Sequence, residues 1–384
     1  MKIVLSGVET NNKGAELMLY AILQEIERRF PNAEVYLPYY SIKQGTNYIN
    51  TNLKFRTTPL SEIVAKLKFA EILYKLKQYK ESHEIIAKTS IVKDANWFID
   101  GSGFAFGDQW NIMDNRIRDW ELKLRPLHER GCKIVFLPQA FGPVEKDGTK
   151  KAFTMLNKYA NLIMPREQVS YDYIRASGLI DMNKVKKFTD FTSLVEGVFP
   201  EKYAQLRNGI CIIPNMQMIR MKKITYEDYI KLLSALVDEG NRSGLPVYLL
   251  NHEGKPDAEL CRKCKESIGG DIEAVTGLNA LQVKGLISTS RIVLTSRFHG
   301  LASALNSGVP SLATSWSHKY EELFRDYGLD GFILPLDDIE KAASRVSELL
   351  DEKENMRLRE HLAQQIPLIK AQTKEMWECV WTLN

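Results

Sequence analysis

Two side chains that could take part in chemistry lie two positions apart in TSRFHG, residues 295–300. Arg297 offers a permanently charged, bidentate fork that suits phosphate or carboxylate, and His299 can donate or accept a proton near neutral pH. An apolar, strand-like run precedes them at 292–294 and a small-residue, helix-like run follows at 301–308. The start of a helix favours anions through its N–H groups and its dipole. The segment therefore predicts a site for an anion whose proton count changes during a reaction.

Two further cations follow predicted strands. Lys319 lies in SWSHKYEELF (315–324), at the turn after the next strand, and Arg166 lies in MPREQVSYDYI (164–174), after the strand-like NLIM. We expect Lys319 beside the Arg297 turn and Arg166 facing it from another sheet. A lone Arg or Lys is commonly a surface charge, but three cations and a histidine at strand ends predict a cradle for a multiply charged anion.

A polar turn, NNKGAELM (11–18), opens the first predicted helix. Asn12 and Gly14 are expected to approach a ligand closely, and Glu9 or Glu16 is a candidate to accept a proton from a sugar hydroxyl. Taken singly, each of these residues is more often a turn or capping residue than a catalytic one.

A second glycine-rich turn, GSGFAFGD (101–108), combines glycines with aromatic residues, as sugar-binding loops often do. It makes Gly103 a further candidate on the sugar side. The turn lacks GxGxxG spacing, so no dinucleotide site is predicted. Asp190, His252 and Glu253 also end predicted strands, where a turn or capping role is the more common one.

Strand-like and helix-like segments alternate along the chain. Predicted strands lie at 2–7, 34–38, 96–103, 133–139, 161–167, 185–190, 209–215, 246–253, 291–296, 310–316 and 331–336. Predicted helices lie at 13–30, 109–130, 148–158, 168–177, 226–241, 256–267, 278–289, 299–308, 318–327, 337–351 and 355–382. This alternation predicts the α/β class, with parallel sheets covered by helices on both faces.

An aperiodic stretch with Pro and Gly at its ends, GVFPEKYAQLRNG (197–209), is typical of a linker. It predicts two Rossmann-like domains with a cleft between them. Residues 1–200 would bind the sugar that accepts the transferred group, and residues 201–354 would bind the anion. A helical tail, 355–384, is expected to cross back to the first domain. Ligands of open α/β sheets bind at the carboxyl ends of the strands, so the cleft is the expected site.

Composition narrows the class of protein. The chain has 384 residues, 26% of them charged, and a formal net charge of +4. This small basic excess does not indicate nucleic acid. No apolar run reaches the length of a membrane span, and the five scattered cysteines predict no disulfide framework and hence a cytoplasmic location. Within CRKC, Cys261 and Cys264 are interpreted as incidental surface thiols.

A lysine-rich stretch, residues 61–88, leaves two interpretations open. It could be a basic amphipathic helix that makes peripheral contact with the inner face of the cell membrane. It could also be a helix packed on the core with a solvated face. The second is favoured because glutamates dilute the basic charge.

Taken together, these motifs resemble the polysaccharide pyruvyl transferase family. NNKGAELM, GSGFAFG, FLPQAFGP, PREQVSYDYIRASGL and TSRFHGLASALNSGVPSLATSWSHKYEELFRDYGL carry the resemblance, which runs from residue 3 to about 330. Its most specific part extends from Arg297 to Lys319. Phe298 is a departure, since leucine is common there in the family.

The resemblance implies a GT-B-like arrangement of two Rossmann-like domains. It also implies transfer of pyruvate from phosphoenolpyruvate to two hydroxyls of a sugar, giving a cyclic ketal and phosphate without metal or nicotinamide cofactor. Arg166, Arg297, His299 and Lys319 match the family's phosphoenolpyruvate-binding positions. The implied catalytic residues are His299, as the acid, and Arg297.

Two other functions stay open at this point. A GT-B glycosyltransferase would share the fold and need cations for a nucleotide leaving group, and a non-catalytic anion-binding relative would keep the site without turnover.

Overall fold

The computed structural model of the chain describes residues 1–37, 51–57, 92, 94–269 and 272–383. The chain divides into two compact units. Unit 1 comprises Met1–Thr10, Met18–Phe191 and Glu375–Asn384, and unit 2 comprises Asn11–Leu17 and Thr192–Lys374. The domain boundaries near residues 200 and 354 stay sequence predictions.

Unit 1 is built on a six-stranded parallel sheet. Its strands are β1 (Lys2–Ser6), β2 (Glu34–Leu37), β3 (Lys54–Thr57), β4 (Trp97–Asp100), β5 (Lys133–Gln139) and β6 (Leu162–Pro165). Their spatial order is β3-β2-β1-β4-β5-β6. All residues of β4 and β6 are buried, which explains their nearly continuous apolar sequences. The strand order reverses between β1 and β4, the position where open α/β sheets bind ligands.

Four helices accompany this sheet among the described residues. They are α1 (Lys13–Arg29), α2 (Asp114–His128), α3 (Asp147–Tyr159) and α4 (Gln168–Ser177). Apolar side chains at helical spacing, such as Phe153 and Leu156 of α3, are buried in the core of unit 1. The first turn of α1 belongs to unit 2, although the rest of the helix belongs to unit 1.

Unit 2 contains a second parallel sheet. Its strands are β7 (Ile210–Ile213), β8 (Val247–Leu250), β9 (Glu273–Val275), β10 (Ile292–Thr295) and β11 (Ser311–Ala313). Their spatial order is β11-β10-β7-β8-β9. The order reverses between β7 and β10, so the residues that follow β10 lie at the position where this class of sheet binds ligands.

Eight further helices lie in the described residues after the start of unit 2 at Thr192. They are α5 (Gln217–Arg220), α6 (Tyr226–Arg242), α7 (Gly254–Ile268), α8 (Ala280–Ser288), α9 (Phe298–Asn306), α10 (Lys319–Asp326), α11 (Ile339–Leu350) and α12 (Glu352–Trp381). Asn279 accepts a hydrogen bond from the Gln282 N–H at 2.9 Å, and the Gln282 side chain accepts from the Asn279 N–H at 3.2 Å. This reciprocal box satisfies two N–H groups at the start of α8.

Two of the predicted strands were wrong. Residues 185–190 make only one bridge, between Val185 and Ile163, and residues 331–336 make only one, between Ile333 and Ala313. Proline explains the first, because Pro165 ends β6 beside it and has no N–H to continue the ladder. In the second, the ladder stops at Ala313, where β11 ends.

The edge strands β3 and β9 were not predicted, because four and three residues are too few for a clear periodic signal. The interpretation of Cys261 and Cys264 as surface thiols was also wrong. Both are fully buried on α7, and burial raises the pKa of each thiol. The lysine-rich stretch 61–88 lies outside the described residues. Within those residues, no helix is both long and apolar enough to cross a bilayer.

Candidate functional site

The predicted seam between strand and helix at TSRFHG is confirmed. β10 ends at Thr295, and α9 begins at Phe298 with Arg297 as its N-cap residue. The Arg297 N–H donates to Thr295 Oγ1 at 3.0 Å. A Cβ atom on Gly300 would lie 2.8 Å from Thr295 Oγ1 and 2.9 Å from Ile213 Cδ1. Glycine therefore lets α9 start directly against the end of the sheet, with Arg297 and His299 at its N-terminus.

A buried hydrogen-bond network holds the residue before Arg297. Asn215 Nδ2 and Tyr320 Oη donate to the Ser296 carbonyl at 2.7 and 2.8 Å. Tyr229 Oη and Thr314 Oγ1 each lie 2.6 Å from Ser296 Oγ. Burial raises the pKa of both tyrosines, so their hydroxyls stay protonated. Sequence reasoning missed this network, although Asn215 and Thr314 lie at the ends of predicted strands.

Two carboxylates bind Arg297. Its Nε donates to Asp257 Oδ2 at 2.8 Å, its Nη2 also contacts Asp257, and its Nη1 contacts the carboxylate of Glu253. The Arg297 side chain is 11% exposed, Asp257 1% and Glu253 36%. Burial lowers the pKa of Arg297 to about 10, which leaves the guanidinium charged at neutral pH. No sequence signal singles out Asp257, which lies inside α7.

His299 lies against the first turn of α1, within unit 2. Asn12 Oδ1 accepts hydrogen bonds from the N–H groups of Gly14 and Ala15 at 2.9 and 3.3 Å, and so caps α1. A Cβ atom on Gly14 would overlap Nδ1 of His299 and lie 2.7 Å from its Cγ. The absence of a side chain at Gly14 therefore allows the turn to pack directly on the imidazole. The predicted first domain, residues 1–200, includes this turn, whereas the structure places it in unit 2.

We expect a Gly14→Ala substitution to lower kcat by about 100-fold. The added methyl group would push the imidazole away, and a displacement of about 1 Å can cost that much in rate. Stability should fall by about 1–3 kcal/mol, because the overlap with the His299 ring has to be relieved. The preference of a helix for alanine over glycine offsets only part of that cost. Turnover and thermal unfolding measure the two effects. Ala15→Gly, on the same turn, serves as a control and should lose stability while keeping kcat.

Lys319 begins α10, directly after the loop that follows β11. Its Nζ lies 4.1 Å from the centre of the Trp316 ring and 5.6 Å from that of Phe298. The Phe298 ring also meets the His299 imidazole edge to face, at a centroid distance of 5.2 Å. Cation–π attraction of this kind holds an ammonium over aromatic faces. Lys319 and His299 therefore share one aromatic neighbour, as expected for adjacent strand ends.

Glu16 is fully buried, whereas a carboxylate that takes a proton from a substrate hydroxyl has to be accessible to that substrate. Its carboxylate accepts a hydrogen bond from Lys13 Nζ at 2.6 Å and another from the backbone of Ala280. Burial raises the pKa of Glu16, and the contacts with Lys13 oppose that rise. The Lys13 N–H donates to the His252 carbonyl at 3.2 Å, so the pair joins the first turn of α1 to the loop after β8.

His252 is a buried histidine near the cations of unit 2. Its side chain is 3% exposed, and Nδ1 makes no hydrogen bond to any residue that the structure describes. Its pKa lies well below the ordinary value, first because of burial and then because Arg297, His299 and Lys13 lie nearby. The imidazole is therefore neutral at pH 7.

We expect His252 to destabilise the protein on acidification. Above pH 6.5 the His252 imidazole is neutral in both the folded and the unfolded state. Below pH 6.5 only the unfolded state binds a proton at this imidazole. The free energy of unfolding therefore falls as the pH falls. Between pH 7.5 and 5.5 this loss amounts to about 1.4 kcal/mol. Urea unfolding at both pH values should show that wild type and the control His128→Gln lose about 1.4 kcal/mol more on acidification than His252→Gln does. Equal losses in all three proteins would contradict the prediction.

Three of the candidates lie in unit 1. Arg166 is buried, with Nε 3.9 Å from Glu167 Oε2 and Nη1 3.8 Å from Asp190 Oδ2. The carbonyl of Gly103 accepts a hydrogen bond from the Ala140 N–H at 3.1 Å, and Glu9 is half-buried. The structure thus gathers Asn12, Gly14, Glu16, Arg297, His299 and Lys319 in unit 2. The participation of the unit 1 residues in the same site stays a prediction.

Similarity to solved structures defines the fold class of the protein. UDP-GlcNAc 2-epimerase from Neisseria meningitidis, bound to UDP-GlcNAc, has a TM-score of 0.60 at 10% identity, covering 99% of this chain and 100% of that chain. UDP-N-acetylglucosamine 2-epimerase from Rickettsia bellii has 0.60 at 12% identity, covering 99% and 96%. The spinosyn rhamnosyltransferase SpnG has 0.54 at 10% identity, covering 98% and 100%. At these identities the likeness shows the fold alone: a two-domain, parallel-sheet α/β protein of the GT-B class.

The family follows from the sequence. The profile of the polysaccharide pyruvyl transferase family matches residues 12–318, from Asn12 to the residue before Lys319. The chain belongs to the polysaccharide pyruvyl transferase family, a family of transferases. Comparison with curated proteins gives no significant match.

Proposed function

We propose that the protein transfers the pyruvyl group of phosphoenolpyruvate to two hydroxyls of a sugar, releasing phosphate and forming a cyclic ketal. The observation that carries the proposal is the gathering of Arg297, His299 and Lys319 at the carboxyl edge of one sheet, in a chain of this family. The product would enter a bacterial polysaccharide or cell-surface glycan, and the reaction would take place in the cytoplasm.

Each side chain has a distinct part in this reaction. Phosphoenolpyruvate carries a phosphate and a carboxylate, so Arg297 and Lys319 supply the charge that binds it and stabilise the phosphate as it leaves C2. Protonation of C3 makes C2 electrophilic, and His299 is the acid for that step. The helix N-terminus of α9 adds N–H groups that favour an anion at the same place.

The remaining assignments extend the proposal to unit 1. Arg166 would act as a further cation for phosphoenolpyruvate, and the turns that contain Glu9 and Gly103 would contact the sugar acceptor. A sugar acceptor fits the family, and attachment of that sugar to a lipid carrier would bring the enzyme to the inner face of the membrane.

A glycosyltransferase that uses a nucleotide sugar is the second candidate. It is favoured by the fold likeness to an epimerase bound to UDP-GlcNAc and to a rhamnosyltransferase. Both candidates need cations where a phosphate group leaves. A non-catalytic relative would bind the anion without consuming it.

The choice of donor separates these candidates. Purified protein is incubated with phosphoenolpyruvate or with nucleotide sugars, against nucleotide-linked and lipid-linked sugar acceptors, and the released product is measured. We expect inorganic phosphate from phosphoenolpyruvate and a mass gain in the acceptor that matches a pyruvate ketal. Release of a nucleoside diphosphate would establish the glycosyltransferase, and tight binding of phosphoenolpyruvate with no turnover of any acceptor would establish the non-catalytic relative.

A further inference from the structure

Glu253 is fixed beside the site by its backbone. It follows β8 and is the N-cap residue of α7. It also forms an antiparallel bridge with Asn12, and the neighbouring His252 carbonyl accepts a hydrogen bond from the Lys13 N–H. Both contacts join Glu253 to the turn whose Gly14 packs on His299. Its carboxylate contacts Arg297 Nη1, so it lies near both the anion-binding and the proton-donating side chains.

The two carboxylates on Arg297 are not equivalent. Asp257 is 1% exposed, binds two guanidinium nitrogens and accepts a hydrogen bond from the Met216 N–H at 3.0 Å. The Asp257 carboxylate compensates the charge of the buried Arg297 guanidinium, because an unpaired buried charge would lower the stability of the fold. Glu253 is 36% exposed and contacts one guanidinium nitrogen, Nη1. Arg297 thus has one carboxylate that is buried in the fold and a second that is more accessible to solvent.

A phosphate or carboxylate group that binds Nη1 of Arg297 competes with Glu253 for the same N–H groups. When phosphoenolpyruvate displaces Glu253 from these groups, the carboxylate loses its cation and becomes available as a proton acceptor. Arg297, its former partner, then binds phosphoenolpyruvate, so we expect the Glu253 carboxylate to remain next to the bound molecule. Glu16, the other carboxylate candidate in unit 2, is fully buried and bound to Lys13.

We propose that Glu253 is the base that takes the proton from the first attacking sugar hydroxyl, after the anionic donor has displaced it from Arg297. This inference rests on the proposed function. As the hydroxyl oxygen bonds to C2, its proton passes to Glu253 and C3 receives a proton from His299. The bond from C2 to the phosphate oxygen then breaks with its electron pair, and the phosphate takes the proton from Glu253. The second hydroxyl closes the ketal, and its proton restores His299.

The test compares Glu253→Gln with three other proteins. Glu259→Gln is the matched control, because Glu259 is exposed on the same helix and pairs with Arg262. Glu9→Gln tests the carboxylate of unit 1. Glu253→Ala is assayed with and without formate, a small carboxylate that can replace a missing base. Phosphate release from phosphoenolpyruvate gives kcat, and calorimetry gives the Kd of phosphoenolpyruvate.

We expect Glu253→Gln to lose about 100-fold or more in kcat, with a Kd equal to or lower than that of wild type because the competing charge is gone. Formate should restore part of the turnover of Glu253→Ala, whereas Glu259→Gln should behave as wild type. Glu9→Gln should raise the KM for the sugar acceptor, in line with the contact proposed for its turn, and keep kcat at saturating acceptor. A kcat of Glu253→Gln within threefold of wild type overturns the inference, as does a more than tenfold weaker Kd, absence of formate rescue, or loss of kcat in Glu9→Gln alone. Absence of phosphate release by wild type is a separate result, which removes the proposed function and this inference with it.

Discussion

Replacement of His299 by glutamine is expected to lower kcat by about 100- to 10,000-fold, the usual cost of losing a general acid. Glutamine keeps a polar side chain at the start of α9 but has no proton to deliver to C3. The imidazole is half-buried against Gly14 and the Phe298 ring, outside the large apolar clusters of unit 2. We therefore expect the free energy of unfolding to change little. The Kd of phosphoenolpyruvate should rise by less than about tenfold, because Arg297 and Lys319 still supply the charge that binds it.

Three measurements check the His299 prediction. Phosphate release at saturating phosphoenolpyruvate gives kcat, calorimetry gives the Kd, and thermal denaturation gives stability. His128→Gln, an exposed histidine of unit 1, is the control and should match wild type in all three. If His299→Gln turned over within threefold of wild type, another group would have to be the acid.

Replacement of Arg297 by methionine is expected to have two large effects. It leaves the Asp257 carboxylate buried without its cation, which typically costs about 3–5 kcal/mol of stability. Burial already raises the pKa of Asp257, and loss of the guanidinium would raise it further. The variant also lacks the bidentate group proposed to bind phosphoenolpyruvate, so we expect its Kd to rise by at least 100-fold and turnover to fall with it.

A double variant separates these effects. In Arg297→Met with Asp257→Asn, the asparagine keeps an oxygen for the Met216 N–H but carries no charge. Most of the lost stability should return, as when both members of a buried pair are made neutral. Binding of phosphoenolpyruvate should not return. Urea denaturation and calorimetry on both variants and on Asp257→Asn complete the cycle. Recovery of turnover in the double variant would show that Arg297 acts only on stability.

The sequence by itself determined the elements and the seam between β10 and α9. Apolar runs and helical periodicity are local signals, which is why the bounds of α4, predicted at 168–177, agree with Gln168–Ser177. The same logic placed Arg297 and His299 at the start of a helix and Lys319 at the next one. It failed for residues 185–190, where the composition resembles a strand but the neighbour, Pro165, cannot extend the ladder.

Only the tertiary structure decided which residues surround Arg297 and His299. Asp257 and Glu253 lie 40 and 44 positions away from Arg297, and Gly14 reaches His299 from the other end of the chain. Chain order does not reveal these contacts, because the spatial order β11-β10-β7-β8-β9 brings the loops after β8 and β10 to the same edge of the sheet. A charged residue inside a helix, such as Asp257, carries no sequence signal of its role until packing buries it beside a cation.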